Sequence, residues 1–557
     1  MDVQRAILVF ALAFVLILVY QRWLEEQQSP DPVSTEPATA GAPATSARDV
    51  PAAPDVGRKD VPPAPGGSPA AAPVQAASGQ RVQVLTDLLR VQIEISGGGL
   101  HLVELRKYPV SVEQPDQPFA LLREEGTDIF TAHSGLIGKG REFPNHRTTY
   151  RTEETKLELK EGQDSVSLTL LWDAPDGVKY SKVYTFTRNS YEVKIDYLVD
   201  NQSDTTWTGF LYAQFLRTPV AQDRGFFMDV VPSYLGGAIY TPQDKFEKVD
   251  FSDMSEKPLS RVVDAGWVAM LQHYFVGAWF PRQPGPFQLY SRALNEPTGP
   301  RFNLGFNTMS PVDVAAGATG RIGANLFVGP KEQKRLEKQA EGFVLTVDYG
   351  WLTPISAPLF WVLERIHAIV GNWGWAIVIL TCLIKLAFFP LSAASYKSMA
   401  KMKKLQPRLQ TLKERYGDDK AKLNQAMMEL YKKDKVNPLG GCLPIVVQIP
   451  VFIALYWVLL ESVELRQADF MLWINDLSVK DPYFVLPILM GATMLAQQML
   501  NPSPLDPMQK KIMMALPIVF TALFLYFPAG LVLYWLVNNV LSIAQQWYIN
   551  RTVAAKT

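Results

Sequence analysis

The residues best placed to do chemistry in this chain lie inside its most apolar sequence. Lys385 interrupts WGWAIVILTCLIKLAFFPL, the run from Trp373 to Leu391, which is long enough to cross a bilayer core. An ammonium near the middle of a transmembrane helix costs about 2.5–3.5 kcal/mol on insertion scales, so it needs water, a partner or an escape route. Thr381 precedes it by one helical turn on the same face. Two arrangements satisfy the ammonium: the side chain snorkels to the nearer membrane surface, or it lines a hydrated cavity that keeps a positive charge within the bilayer. Polar residues in other apolar segments favour the cavity. Gln448 lies between Pro444 and Pro450, which loosen their helix, and Tyr534, Asn538, Ser542 and Gln545 form one hydrogen-bonding stripe. Helix-to-helix hydrogen bonds, at about 0.6–2 kcal/mol each, account for one or two such residues but not for a stripe plus a lysine. Thr381, Lys385, Gln448, Asn538 and Ser542 therefore define an expected hydrophilic groove shared by three spans. Its chemistry is recognition: a fixed cation attracts an acidic group, and polar neighbours lower the cost of desolvating it.

Nothing in the chain suggests turnover. His101, His133, His146 and His273 are scattered without ligand or triad spacing, and the only cysteines, Cys382 and Cys442, lie in apolar sequence as packing residues. Gly135 to Gly140, GLIGKG, is too short for a phosphate loop and no Ser or Thr follows its lysine. The expectation is a protein with no enzymatic activity, no metal, no cofactor and no small-molecule substrate.

The elements that must position the groove follow from periodicity. Residues 1–23 read as an uncleaved membrane anchor and 24–80 as a mobile Pro/Ala-rich tether that cannot bury enough apolar area to fold. From 81 to 342 the period is two, as in Val91, Ile93, Ile95 and in Tyr191, Val193, Ile195, Tyr197; this predicts a large all-β sandwich ending in a charged helical connector. Residues 351–370 place Ile355, Leu359, Leu363 and Ile366 on one stripe, which suits a helix in the membrane interface, with a core helix of the β-domain as the alternative.

A second span is expected over 371–392, then a cytosolic helical hairpin over 393–437, with Pro407 as a kink. Further spans follow over 439–460, 483–500, 512–527 and 531–548, and a tail over 549–557; the turn Pro528-Ala529-Gly530 makes the last two spans a tight hairpin. Twelve Lys or Arg against five Asp or Glu from Ser392 to Asn437 keep that loop in the cytosol, which puts both termini inside and the β-domain outside. The fold class is thus an α-helical polytopic membrane protein of six transmembrane helices with a large extracytoplasmic all-β sandwich and a cytosolic helical hairpin. The fifth span and the apolar part of the sixth are short, which favours local bilayer thinning. The methionines between Met490 and Met514 offer an adaptable apolar surface, or ordinary packing.

The run SMAKMKKLQPRLQTLKERYGDDKAKLNQAMMELYKKDKVNPLGGCLPIVVQIPVFIALYWVL resembles the YidC/Oxa/Alb family of membrane protein insertases, as do SVELRQADFMLWINDLS and FPAGLVLYWLVNN downstream. The resemblance extends to VQVLTDLLRVQIEISGGGLHLVEL at the start of the β-region and so spans the chain. It implies an insertase and chaperone of the bacterial inner membrane, acting on nascent membrane proteins alone or beside the Sec translocon, without nucleotide hydrolysis. It also implies a groove open to cytosol and lipid, carrying a basic residue that matches Lys385. Many bacterial relatives have arginine there, so the lysine favours a point-charge role over one needing a bidentate guanidinium. The family's substrate contacts match Thr381, Tyr534 and Trp535. The cytosolic hairpin, with Met399, Met402, Lys403, Lys404 and Arg408 as candidate contacts, is implied to receive substrate and to meet the ribosome weakly. The β-domain resembles the sugar-mutarotase sandwich, facing the periplasm, with no catalytic constellation carried over.

Two rival classes remain. A solute or ion transporter would use the intramembrane cation as a counter-ion site, but no inverted repeat and no second buried charge accompany it. A membrane-anchored carbohydrate-binding or sensor protein leaves the five downstream spans unexplained.

Overall fold

The computed structural model describes residues 51, 80–219, 234–297, 299–416, 419–434, 443–500 and 507–554. The expected anchor, nearly all of the expected tether, and Cys442 lie outside those residues.

Alternation of apolar and polar residues from Arg81 onward builds two stacked sheets. The larger has eleven strands, with Trp207–Arg217 between Gly299–Thr308 and Asp128–Ile137 near its middle; the smaller has eight, centred on Thr319–Pro330 and Glu192–Asn201. Pairing is antiparallel almost throughout; the parallel exception joins Arg81–Leu85 to Lys156–Glu158. Every second side chain turns inward, so Leu211, Ala213 and Phe215 from one sheet meet Tyr184, Val193, Ile195 and Tyr197 from the other.

One inward residue is a cation. Lys182 Nζ donates to the Gly98 carbonyl at 2.8 Å and lies 5.4 Å from the ring centres of Tyr184 and Tyr197. Burial pulls this ammonium down to about 7. The histidines are less scattered than their sequence positions suggest. His133 and His146 stack with ring centres 5.1 Å apart, and His146 Nδ1 lies 2.5 Å from the Tyr212 hydroxyl, because the Asn145-to-Thr148 turn folds back over the larger sheet. No His, Cys, Asp and Glu cluster suited to a metal occurs among the described residues.

The helices are α1 (Phe251–Glu256), α2 (Gln333–Gln339), α3 (Thr353–Val370), α4 (Trp373–Ala387), α5 (Phe389–Tyr416), α6 (Lys420–Lys433), α7 (Leu443–Glu461), α8 (Val485–Leu500), α9 (Pro507–Phe524) and α10 (Ala529–Ala554). Helix α3 ends on Gly371 in the left-handed region, φ 73°, a conformation that glycine adopts freely. Its buried face is Ser356, Phe360, Leu363 and Ile366, whereas Ile355 and Leu359 are only half-buried, so the N-terminal half of the expected stripe is rotated by one position. Ser356 Oγ donates to the Ala454 carbonyl, and this contact with α7 sets the rotation.

Two further expectations are corrected. The run Trp373 to Leu391 is not one helix: α4 stops at Ala387, Phe388 takes φ −89° and ψ 5°, and α5 leaves at 66°. Helix α5 then runs continuously through Pro407. The bend falls where sequence turns from membrane-apolar to amphipathic, so each half follows its own surroundings. Second, α9 and α10 are not a packed hairpin. They meet near the turn, where Phe524 stacks on Phe527 and touches Trp535, but each packs along α8 instead. A Cβ on Gly491 of α8 would lie 2.0 Å from Thr521 Oγ1 of α9, which is how closely those two helices approach. Asn539 of α10 donates to Thr493 of α8 at 3.3 Å.

Among the described residues no single helix is long and apolar enough to cross a membrane; the bent pair α4–α5 is, and three shorter apolar stretches lie at Val447–Glu461, Val485–Leu500 and Lys511–Phe524.

The sandwich is joined to the helices by more than the covalent chain. Arg466 donates to the carbonyls of Pro109 and Val110 at 2.7 and 3.0 Å, and Gln333 N donates to Glu464 at 3.2 Å. His273 Nε2 lies 3.0 Å from the Leu460 carbonyl. Burial and the charge of Lys331 hold His273 down at about 4, and burial pushes Glu464 up to about 7.

Candidate functional site: a polar seam around Lys385

Asn372 caps α4 by accepting from Trp375 N at 3.0 Å, and this fixes the helix start three turns before Lys385. The lysine then projects into the helical core and is 6% exposed. Its Nζ donates to Ser542 Oγ at 2.8 Å, and among the described residues no carboxylate pairs with it. Ser542 Oγ in turn donates to the Asn538 carbonyl at 2.7 Å. One turn along the stripe, Gln448 Nε2 of α7 donates to Asn538 Oδ1 at 2.9 Å, and the buried Tyr534 stacks on Phe452 with ring centres 5.8 Å apart. Gln545 Nε2 reaches the Lys385 carbonyl at 3.4 Å. Four of the residues expected to share a groove, Lys385, Gln448, Asn538 and Ser542, are thus one hydrogen-bonded seam linking α4, α7 and α10, with Tyr534 one turn before Asn538 on the same stripe.

Two expected residues stand apart from this seam. Thr381 is 1% exposed and its hydroxyl donates to Ile377 one turn back in its own helix, so it serves α4. Trp535 lies edge-on to Phe452 with ring centres 4.7 Å apart, and its buried Nε1–H has no partner among the described residues.

The hairpin residues Met399 and Met402 are half-buried, while Lys403, Lys404 and Arg408 are exposed. Leu405 and Leu409 form the buried contact with Met427, Leu430 and Tyr431 that closes α5 on α6. Asp419 starts α6 by accepting from Ala421 N and Lys422 N, each at 3.1 Å.

Sequence reasoning missed Tyr396, a half-buried residue of α5 that comes near Ser542. It also missed the Asn539–Thr493 link, since Asn539 lies beside the stripe rather than on it. A polar residue three turns beyond Lys385 was the available signal for Tyr396, but it assumed a straight helix, and the bend at Phe388 changes which face returns to α10.

Comparison with known proteins decides the family. The profile described as YidC periplasmic domain matches residues 81–362, and the one described as 60Kd inner membrane protein matches residues 365–556. A protein of Stutzerimonas stutzeri named Membrane protein insertase YidC is 50% identical over 558 residues, covering 100% of this chain and 99% of its own. The chain belongs to the YidC family of membrane protein insertases. A YidC insertase of Alkalilimnicola ehrlichii is also 50% identical, over 100% of this chain and 96% of its own. A solved structure, described as an active YidC insertase with the first transmembrane domain resolved, is 18% identical with a TM-score of 0.38; it covers 85% of this chain and 93% of the other. In this YidC family member the β-sandwich therefore coincides with the periplasmic domain, and the Lys385 seam lies in the part matched to an inner membrane protein.

Proposed function

We propose that this protein takes hydrophobic segments of nascent membrane proteins into the bacterial inner membrane and helps them fold, alone or beside the Sec translocon, with Lys385 as the charge that receives them. The observation that carries this reading is an ammonium within apolar helices, held by one hydroxyl and paired with no carboxylate among the described residues. Such a charge is costly to keep and gains most from an acidic visitor. An acidic extramembrane tail of the substrate is drawn to Lys385, the amides and hydroxyls of Gln448, Asn538 and Ser542 replace part of its water, and the apolar segment moves sideways into lipid. Burial of about twenty apolar residues drives the last step.

The same reading gives six spans with both termini in the cytosol. The anchor is the first, α4 the second, and α7, α8, α9 and α10 supply the rest; α3 lies in the interface, with Trp351 and Trp361 exposed. The bent α5 leaves the membrane at Phe388 and forms, with α6, the basic cytosolic hairpin that meets arriving chains and, transiently, the ribosome. What supports this orientation is the excess of twelve basic over five acidic residues between Ser392 and Asn437.

Photo-crosslinkers at Thr381, Gln448 and Trp535, read against stalled nascent chains, test the path. Crosslinks at Gln448 and Trp535 are expected; their absence at all three positions, with the protein active, would remove the substrate from this seam. A cysteine at position 385 that resists water-soluble thiol reagents in inverted vesicles, with and without substrate, would also count against it.

A further inference from the structure

Helices α4 and α10 are tied together at two levels. Near the bend Lys385 donates to Ser542; at the opposite end, where both helices begin, the loop over residues 466–481 joins them. Asn372 serves both the helix and the loop there. Its Oδ1 accepts from Trp375 N at 3.0 Å and so caps α4, while its Nδ2 donates to the carbonyls of Asp469 and Phe470 at 3.2 and 3.0 Å. The Phe470 ring lies on the first turn of α4, edge-on to Trp375 with ring centres 5.5 Å apart, and so close to Gly374 that a Cβ there would not fit. From Phe470 the loop continues through the buried Ile474 and Leu477 to α10, where the Leu477 and Val479 carbonyls accept from Gly530 N at 2.9 Å and from Ala529 N at 2.7 Å. Gln467 and Leu472 take φ 58° and 56°, a conformation that non-glycine residues hold only where their surroundings impose it, so the loop has a set shape. Lys385 lies thirteen residues beyond Asn372, and Ser542 twelve beyond Gly530, which is about 20 and 18 Å at 1.5 Å per residue. The two ties therefore stand at matching levels on two helices that run side by side in the same direction.

We propose that Asn372 is a positioning residue: it clamps the 466–481 loop across the starts of α4 and α10, so that these helices separate only at their Lys385–Ser542 end. This rests on the reading of Lys385 as the charge that receives substrate and of the loop as extracytoplasmic. Lys385 can turn to a substrate carboxylate the N–H now given to Ser542, and that exchange releases the inner tie. The outer tie is untouched, because Asn372, Phe470, Leu477 and Gly530 take no part in it. Separation is then a pivoting about the loop, wide at the cytosolic end and closed at the other. An acidic tail thus enters the seam from inside the cell without opening a continuous path across it.

The test uses the full-length chain with Cys382 and Cys442 replaced by alanine and with one reporter, Ile377→Cys, at a fully buried position of α4 whose Cδ1 would lie 3.6 Å from a Cβ on Gly530. Labelling by a membrane-impermeant maleimide is measured in right-side-out and in inverted vesicles. Asn372→Asp keeps the oxygen that caps α4 and loses both donors to the loop; Phe470→Ala keeps the cap and loses the ring. Ser542→Ala breaks the inner tie without substrate. In that background Asn372→Asp should raise labelling from the outer side about tenfold, the scale of two lost hydrogen bonds, and Phe470→Ala should raise it too. Ser542→Ala with Asn372 and Phe470 in place should leave outer labelling at the parent level. In Asn372→Asp with Ser542 intact, binding of a hydrophobic segment with an acidic tail should act as Ser542→Ala does, and one with a neutral tail should not. Outer labelling in Asn372→Asp/Ser542→Ala no greater than in Ser542→Ala overturns the clamp. So does labelling raised equally from both sides in Asn372→Asp alone, which marks a residue that merely holds the fold. If the acidic tail has no effect where Ser542→Ala has one, the reading of Lys385 fails and the clamp stands.

Discussion

Lys331 at the end of the β-sandwich and Glu461 at the end of α7 are both buried at the joint between the two parts of the molecule, 3% and 4% exposed, where their opposite charges favour one another without a direct ion-pair contact. His273 adds a nitrogen 3.7 Å from the Glu461 carboxylate, and Ser462 and Tyr349 lie 3.4 Å apart alongside. A buried pair of opposite charge adds little over a well-packed apolar pair, but each member is expensive to leave alone. Its presence therefore fixes how the sandwich is seated more than how tightly.

The first expected outcome concerns this pair. Lys331→Met or Glu461→Leu alone should destabilise the full-length protein by about 1–3 kcal/mol, the cost of a buried polar group left without its counter-charge, while the double substitution should recover part of the loss. Denaturant or thermal unfolding in detergent checks it; single variants as stable as the parent would show that the two groups do not depend on one another.

Asp196 gives the sandwich a dependence on acid. Its carboxylate is nearly enclosed and paired with Arg282 and with Arg321, the latter at 2.5 Å. Burial pushes this group up, but the hydrogen bonds and charges of Arg321 and Arg282 outweigh it and hold it below the usual carboxylate range. A carboxylate depressed on folding contributes stability above its unfolded value, and that contribution is lost as pH falls through the folded one. Asp196→Asn should cost about 1.5–3 kcal/mol at pH 7 and flatten the loss of stability on acidification below about pH 4. Unfolding curves of both proteins between neutral pH and pH 3 settle the matter, and parallel curves would exclude Asp196 as the source.

At the seam the charge should matter more than its shape. Lys385→Arg keeps a cation beside Ser542 and should retain insertion, whereas Lys385→Glu should abolish it for substrates with acidic tails. Equal activity of the two variants would speak against an electrostatic role.

Close packing of α8 on α9 predicts a cost for the smallest added side chain. In Gly491→Ala the new methyl must displace Thr521, so the helical core should lose about 1–3 kcal/mol, and Thr521→Ala should return part of it. Melting temperatures of the single and double variants in detergent are the measurement; a neutral Gly491→Ala would mean that α9 shifts freely.

The sequence carried whatever depends on near neighbours along the chain. Alternation at Val91, Ile93 and Ile95 announced strands, the four-residue steps from Tyr534 to Ser542 announced one polar helix face, and Lys385 within apolar residues announced a site. Such patterns reflect the periods of the backbone itself, so they can be read before anything packs. What joins distant segments could not be read that way. Lys385 and Ser542 are 157 residues apart, and their contact depends on how α4 and α10 fit together. The bend at Phe388 turns α5 back against α10, and the close approach at Gly491 draws α9 along α8 and away from α10. The His133–His146 stack and the Lys331–Glu461 pair arise likewise from loops and domain ends with no period to betray them. The periodicity settled which face of each element is polar; only the mutual fit of side-chain surfaces in three dimensions settled which polar faces meet.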